Sequence, residues 1–223
     1  MWNKLFTLIS IIIFFGVSCL QTSFAEGYKF DNLTGQKFET ERLIITKTTE
    51  EDLDQLSEYL LNEDVTKYLD PDPKIKNGFK TTEEALEFLK SKASDEFTKV
   101  LEFTIKLKEN NKPIGKLDLM VWGDSTLYLG YWLGKDFQGK GYMSEACFEL
   151  CNKAFNASDI KMLYIACDFE NQGSVKLSRK ILDYIEKENS TLSLSRSEED
   201  NMFEAILNGE EVSFHCVQLI IKK

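Results

Sequence analysis

Residues 127–156, LYLGYWLGKDFQGKGYMSEACFELCNKAFN, decide the fold. Leu127, Leu129, Tyr131 and Leu133 alternate with Tyr128, Gly130 and Trp132, which is the period of a strand. From Met143 the period changes. Met143, Ala146, Cys147, Leu150, Cys151, Ala154 and Phe155 recur at spacings of three and four, one apolar stripe of a helix. Between the two lies Gln138-Gly139-Lys140-Gly141. A helix that starts there leaves its first N–H groups without intrahelical acceptors. Glycines allow a phosphate to approach those groups, and the helix dipole favours negative charge at this end. The same four residues also suit a tight turn that merely starts a helix, and both readings stand at this point.

Working outward, the stretch before this unit reads as strands and two helices. Thr40–Ile45 is a first strand. Thr48 and Glu51 form a capping box that opens a helix with Leu53, Leu56 and Leu60 on one face. Residues 70–73 and Asn77-Gly78 make a loop. A second capping box, Thr81 with Glu84, opens a helix carrying Ala85, Leu86, Leu89 and Ala93. Phe103, Ile105 and Leu107 alternate with Thr104, Lys106 and Lys108, and residues 109–113 return the chain to Leu117, Leu119 and Val121 as an antiparallel hairpin. Gly123-Asp124 turns into the central strand.

After the central helix, Met162–Asp168 is almost continuously apolar, as a buried strand requires. Residues 170–174, ENQGS, lead into a helix with Leu177, Ile181, Leu182 and Ile185. Residues 186–201 are polar and read as a loop or frayed helix. Asn208-Gly209-Glu210 turns into a last strand, Val212–Ile221.

The chain has 223 residues, with 43% hydrophobic and 29% charged, a globular composition. Its formal charge is −10, from 27 basic and 37 acidic residues. That argues against nucleic acid as a partner and serves solubility. One histidine, His215, and no C-x-x-C pair argue against a zinc site, so no metal is expected. Of five cysteines, Cys147 and Cys151 sit on the helix stripe as small core groups.

Residues 1–25 have the order of a secretory signal. Lys4 comes first, Leu5–Leu20 is an uncharged apolar run, and Ser23-Phe24-Ala25 supplies small residues at the two positions a signal peptidase reads. Export is the expectation; the alternative is a membrane anchor made by residues 5–20, although that run is short for a span of about 20 residues. Residues 26–36 then read as a linker and residues 37–223 as one domain.

Five landmarks in order resemble a family: ETERLII at Glu39–Ile45, Pro113-Ile114-Gly115, LGYWL at Leu129–Leu133, QGKGYMSEA at Gln138–Ala146, and ENQGS at Glu170–Ser174. Together they look like the GNAT acyltransferases, and within them the ribosomal-protein-alanine N-acetyltransferase branch, over about residues 37–221. The resemblance implies an α/β (α+β) domain with a mixed, mostly antiparallel sheet flanked by helices. It implies acetyl-CoA as acyl donor, wedged between the strand ending near Leu133 and the strand ending near Asp168. The pyrophosphate would lie on the backbone N–H groups of Gln138, Gly139, Lys140, Gly141, Tyr142 and Met143. Asn171 would contact the pantetheine arm, and Ser174 would lie near the thioester sulfur, where it could protonate the leaving thiolate; a serine at such a position equally suits a helix cap. The acceptor implied is an amine; a protein N-terminus, a lysine, a polyamine and an antibiotic amine all fit, and the lower pKa of an α-amine favours the first.

Three positions depart from the family pattern. Tyr128 stands where some members of the branch place a carboxylate. Ile181-Leu182-Asp183 replaces a Leu-Gly-Phe after the last helix, and Gln218 replaces a tyrosine on the last strand. The first bears on the general base and the others on the acceptor pocket. Two other functions fit parts of the chain. Gly134, Gly139 and Lys140 match most of a P-loop, but Gly141 stands where a hydroxyl must ligate magnesium. A non-catalytic CoA- or partner-binding protein on the same fold is the other.

Overall fold

The computed structural model describes residues 33, 35–70, 73–91, 99–122, 126–157, 161–190, 194–207 and 210–222. The strands are β1 (Phe38–Glu39), β2 (Leu43–Lys47), β3 (Lys99–Leu107), β4 (Pro113–Trp122), β5 (Thr126–Leu133), β6 (Met162–Asp168), β7 (Ser195–Leu207) and β8 (Glu210–Lys222). The helices are α1 (Glu50–Ser57), α2 (Glu63–Thr66), α3 (Pro73–Lys76), α4 (Thr82–Ser91), α5 (Tyr142–Ala157) and α6 (Gln172–Glu188), with 3-10 turns at Glu58–Leu61 and Lys135–Phe137.

All eight strands form one sheet in the order β1-β2-β3-β4-β5-β6-β8-β7. Every neighbouring pair is antiparallel except β5 and β6. The parallel pair follows from the connection: α5 carries the chain back to the starting end of the sheet, as a crossover must. The expected α/β domain with a mixed, mostly antiparallel sheet flanked by helices is therefore the observed one. A P-loop fold is excluded, because the strand before the glycine loop pairs antiparallel with β4 along its length and parallel with β6 over three positions only, where a P-loop strand stands within a parallel sheet.

Alternation along the strands sorts the sheet into two faces. Leu127, Leu129 and Leu133 pack with Leu150 of α5 and Ile181 of α6 in the main core. On the opposite face Trp132 packs with Leu53, Leu56 and Leu60 of the α1 segment and Ala85 and Leu89 of α4. Further along that face Tyr128, Tyr164 and Ile220 form a small separate cluster. Cys147 and Cys151 are fully buried on α5, as the stripe predicts, and burial pushes both thiols up.

Several boundaries differ from the sequence expectation. The strand expected over Thr40–Ile45 is β2 and starts only at Leu43, because Thr40 Oγ1 accepts the Leu43 N–H at 3.0 Å and separates it from the short β1. The first capping box is Thr49 with Asp52, one residue later than Thr48 with Glu51. The reason is that the Thr48 N–H still donates to the Glu102 carbonyl at 2.9 Å, in strand fashion. Thr81 caps as expected, accepting the Glu84 N–H at 3.2 Å. Residues 186–201 are only in part the expected loop or frayed helix. Helix α6 runs to Glu188, so Ile181-Leu182-Asp183 lies inside it, and β7 begins at Ser195. Its Ser- and Glu-rich sequence suits a sheet edge with one neighbour. Packing begins before the expected boundary at Lys37, since Leu33 is buried in the main core. The leader, Ala93, Gly123-Asp124 and Asn208-Gly209 lie outside the described residues.

Candidate active site

Strands β5 and β6 pair over three positions only, Thr126 with Met162, Leu127 with Leu163, and Tyr128 with Tyr164. Beyond Tyr128 β5 stays on β4 as far as Leu133, while β6 stays on β8 as far as Asp168. The two strands therefore splay, and alternate backbone groups of Leu129–Leu133 lose their sheet partner on one side. The opening is a cleft of about 860 Å³. Its walls include Leu133, Gln138, Gly139, Gly141, Asn171 and Ser174. The sequence placed these residues at one site, and the fold brings them together.

The loop after β5 is built to expose amides. Gly139 and Gly141 have φ of +72° and +84°, a region L residues avoid. A Cβ on Gly139 would meet nothing within 4 Å, so the space above it is open. The Gln138 side-chain amide donates to the Leu133 carbonyl at 3.0 Å, which ties the loop to the strand end. The Glu145 N–H donates to the Gly141 carbonyl at 3.1 Å, so the N–H groups of Tyr142, Met143 and Ser144 precede the helical ladder. This arrangement fits a diphosphate: successive N–H donors, open space and a helix dipole converge on one spot.

A brace holds this loop from outside. Arg42 donates to Glu145 Oε2 from Nε at 2.8 Å and to the Lys140 carbonyl from Nη1 at 3.1 Å. Its guanidinium also lies 4.5 Å from the centre of the Tyr142 ring. The Thr40 hydroxyl and the Arg42 N–H both donate to Glu145 Oε1. Burial pushes the Glu145 carboxyl up, but the Thr40 and Arg42 hydrogen bonds outweigh it and hold the group below the usual range. Met143, one residue into α5, is buried in the main core and anchors the helix start.

Across the cleft, Asn171 caps α6, its Oδ1 accepting the Ser174 N–H at 3.2 Å. Ser174 is therefore not the cap, and its hydroxyl is left for another task. Ser174 Oγ lies 2.9 Å from Tyr131 Oη, and Ser178 Oγ lies 3.0 Å from the same atom. Burial pushes the Tyr131 phenol up, so it stays protonated at neutral pH. A phenol donates one proton, so at least one serine must donate to it. Tyr128 faces the other side of the sheet, buried, with its ring 4.7 Å from that of Tyr164. Burial pushes its phenol up to about 12. Gln218 is buried and opposite Ala166, on the same face as Tyr164.

Sequence reasoning missed Tyr131, Ser178, Arg42 and Glu145. The signal for Ser178 was present, four residues after Ser174 on one helix face. Arg42 and Glu145 lie inside two of the quoted landmarks, but nothing in the sequence pairs them, because their contact joins the segment between β1 and β2 to a helix 103 residues away.

Comparison with known proteins agrees with the fold that holds this site. Residues 42–181 match the family model described as an acetyltransferase (GNAT) domain. The Bacillus subtilis (strain 168) protein named uncharacterized N-acetyltransferase YnaD is 27% identical over 143 residues, which cover 64% of this chain and 79% of that protein. The solved structure of a GNAT-family acetyltransferase from Bacillus anthracis superposes with a TM-score of 0.59 at 22% identity, covering 82% of this chain and 97% of the other. RimL, a ribosomal L7/L12 alpha-N-protein acetyltransferase solved with coenzyme A, superposes with a TM-score of 0.58 at 18% identity, covering 82% and 97%.

Proposed function

The chain belongs to the GNAT acetyltransferase family, and on that premise we propose that it moves the acetyl group of acetyl-CoA directly to a primary amine, with a peptide or protein N-terminal α-amine as the favoured acceptor. The observation that carries this reading is the splay of β5 from β6, with an amide cradle on one wall and the Ser174 hydroxyl on the other. The pyrophosphate is held by the amides from Gln138 to Met143, and the pantetheine arm passes Asn171 between the strand ends. The naming of RimL as an alpha-N-protein acetyltransferase supports an α-amine acceptor.

In the reaction, the lone pair of the neutral amine attacks the thioester carbon and a C–N bond forms. Charge develops on the carbonyl oxygen, and a backbone N–H of β5 beyond Tyr128 receives it. The C–S bond then breaks, and the leaving thiolate takes the Ser174 proton. Tyr131 and Ser178 are the partners through which that proton is replaced. The amine nitrogen gives up one proton to water, and solvent returns one proton to the Ser174, Tyr131 and Ser178 hydroxyls, so that the thiol departs with the proton the amine has lost.

Acceptor basicity decides between amines. At pH 7 a lysine amine is neutral about once in 2,500, an α-amine about once in seven. The gap is about 3.5 kcal/mol, more than a site with Tyr128 in place of a carboxylate base readily supplies. The test is CoA release at pH 7 with two peptides, one with a free N-terminus and no lysine, one N-acetylated with a single lysine. Faster turnover of the α-amine peptide is expected; faster turnover of the lysine peptide overturns the acceptor assignment, and no turnover of either overturns peptide acetylation.

A further inference from the structure

Helices α5 and α6 start at the same end of the sheet and run side by side. Strands β5 and β6 are parallel, and β7, antiparallel to β8, is parallel to β6 again. Helix α5 joins the first pair and α6 the second, so both return against the strands, and both pack on the main core. One contact sets their level: the rings of Phe148 and Tyr184 stack with centroids 4.5 Å apart and 11° between their planes. One turn back from each ring, Lys180 of α6 stands level with Ser144 of α5. Ser144 belongs to the first turn of α5, whose free N–H groups form the amide cradle. Lys176 lies a further turn out, about 6 Å along the axis, level with the glycine loop. Ser144, Lys176 and Lys180 all line the cleft.

The cations of this cleft differ in what they already hold. Lys116 is buried, 2.8 Å from Glu102 Oε1 and 3.5 Å from Asp118 Oδ1. Lys135 pairs with Asp64 at 2.8 Å, and the Lys67 ammonium lies 4.7 Å from the centre of the Tyr68 ring. Arg179, between the two α6 lysines in sequence but on another face, pairs with Glu198 at 2.6 Å. Lys176 and Lys180 are exposed and have no hydrogen bond or ion pair among the described residues. Like charges one turn apart on a helix repel. The chain has a formal charge of −10, so carboxylates are plentiful, yet no described one neutralises this pair. The wall before the lysines is open: a Cβ on Gly173 would meet Asn171 Oδ1 at 3.7 Å and nothing nearer.

The neutral donors of the cradle suit a diphosphate. Coenzyme A also carries a phosphate monoester on its ribose, with nearly two negative charges at pH 7, which ammonium groups hold better than neutral donors do. We propose that Lys176 and Lys180 bind this ribose phosphate and make the protein select CoA over its 3′-dephospho form. The proposal rests on acetyl-CoA as the donor in this cleft. Each lysine is a point charge on a flexible stem, so the pair meets a phosphate at the cleft mouth without a rigid socket.

The test is calorimetric binding of CoA and of 3′-dephospho-CoA to the full chain at low ionic strength. Wild-type protein prefers CoA by about tenfold or more. The double variant Lys176→Gln with Lys180→Gln brings the two ligands within about twofold, through loss of CoA affinity. The double variant Lys176→Arg with Lys180→Arg keeps the preference, and added salt shrinks it in wild type. Both side chains are exposed, so the variants keep the fold, which circular dichroism checks. Equal affinities in wild type or an unchanged preference in the glutamine variant overturns the proposal. So does an equal loss for both ligands in that variant, which would put the lysines on the diphosphate. Binding of both ligands without preference sinks the ribose-phosphate site alone; binding of neither sinks the coenzyme reading and the proposal with it.

Discussion

Tyr131 Oη and Ser174 Oγ stand 2.9 Å apart and join β5 to α6 across the base of the cleft. The contact fixes the serine hydroxyl on the side where the proposed reaction releases the thiolate. Tyr131→Phe keeps the ring and removes the partner. A hydrogen bond of this kind contributes about 1 kcal/mol, so turnover should fall about fivefold with CoA affinity unchanged. Ser174→Ala should cost more, about 100-fold if the hydroxyl is the acid. The double variant should resemble Ser174→Ala alone, since both act through one proton path. Additive losses would mean that the two residues act independently.

Gly141 is the position where the coenzyme cradle is most exposed to test. Its φ of +84° is strained for any side chain, and a Cβ would also stand 3.4 Å from Arg42 Nη2. A β-branched residue is the least tolerated there. Gly141→Val should lower CoA affinity at least about tenfold by calorimetry, through a reshaped loop, with circular dichroism unchanged. Retained affinity would place the phosphates elsewhere.

The brace behind that loop makes a pH prediction. Glu145 has its carboxyl held below the usual range by Thr40 and Arg42. A carboxylate depressed in the folded state stabilises it above the unfolded value, about 4.3, and the contribution is lost as pH falls through the folded value. Glu145→Gln should therefore melt below wild type at pH 7, and the difference should shrink as the pH drops under about 4. A gap constant from pH 7 to pH 3 would show that ionisation of Glu145 is not what holds the brace.

The central unit was legible because the hydrophobic period changes from two to about 3.6 around Gln138–Gly141, and only a strand followed by a helix does that. The amide cradle followed from the two glycines. Strand β7 was not legible: an edge strand needs only one neighbour, so Ser195–Asp200 keeps a loop's composition. The cap at Thr49 could not be separated from Thr48, since each has an acidic residue three positions on; the pairing of Thr48 with Glu102 decided it. The buried Lys116 with Glu102 and Asp118 was hidden by the same limit, because polar alternation reads as a solvent face until helices are seen to cover it.

For the leader we propose export with cleavage after Ala25, on the order of charge, apolar run and small residues in the sequence. Sequencing the N-terminus of protein recovered from its native host checks it. A chain starting at Ala25's successor, Glu26, is the expected result; Met1 on protein from the cytosol would refute export.

By the resemblance drawn from the sequence, Tyr128 stands where some members of the resembled branch place a carboxylate, and its environment bears on whether it can act as a base. The ring is buried against Tyr164, and the phenol is pushed up to about 12 by burial alone. At pH 7 about one molecule in 100,000 then carries the phenolate. A base that scarce would save little over water, which leaves Tyr128 as a wall of the cleft. Tyr128→Phe keeps that wall. Turnover at pH 7 should stay within about threefold of wild type, and the pH at which turnover reaches half its plateau should not move. The measurement is CoA release from pH 6 to pH 10 with the lysine-free α-amine peptide. A loss of 100-fold or more, with the rise toward high pH abolished, would make Tyr128 the base after all.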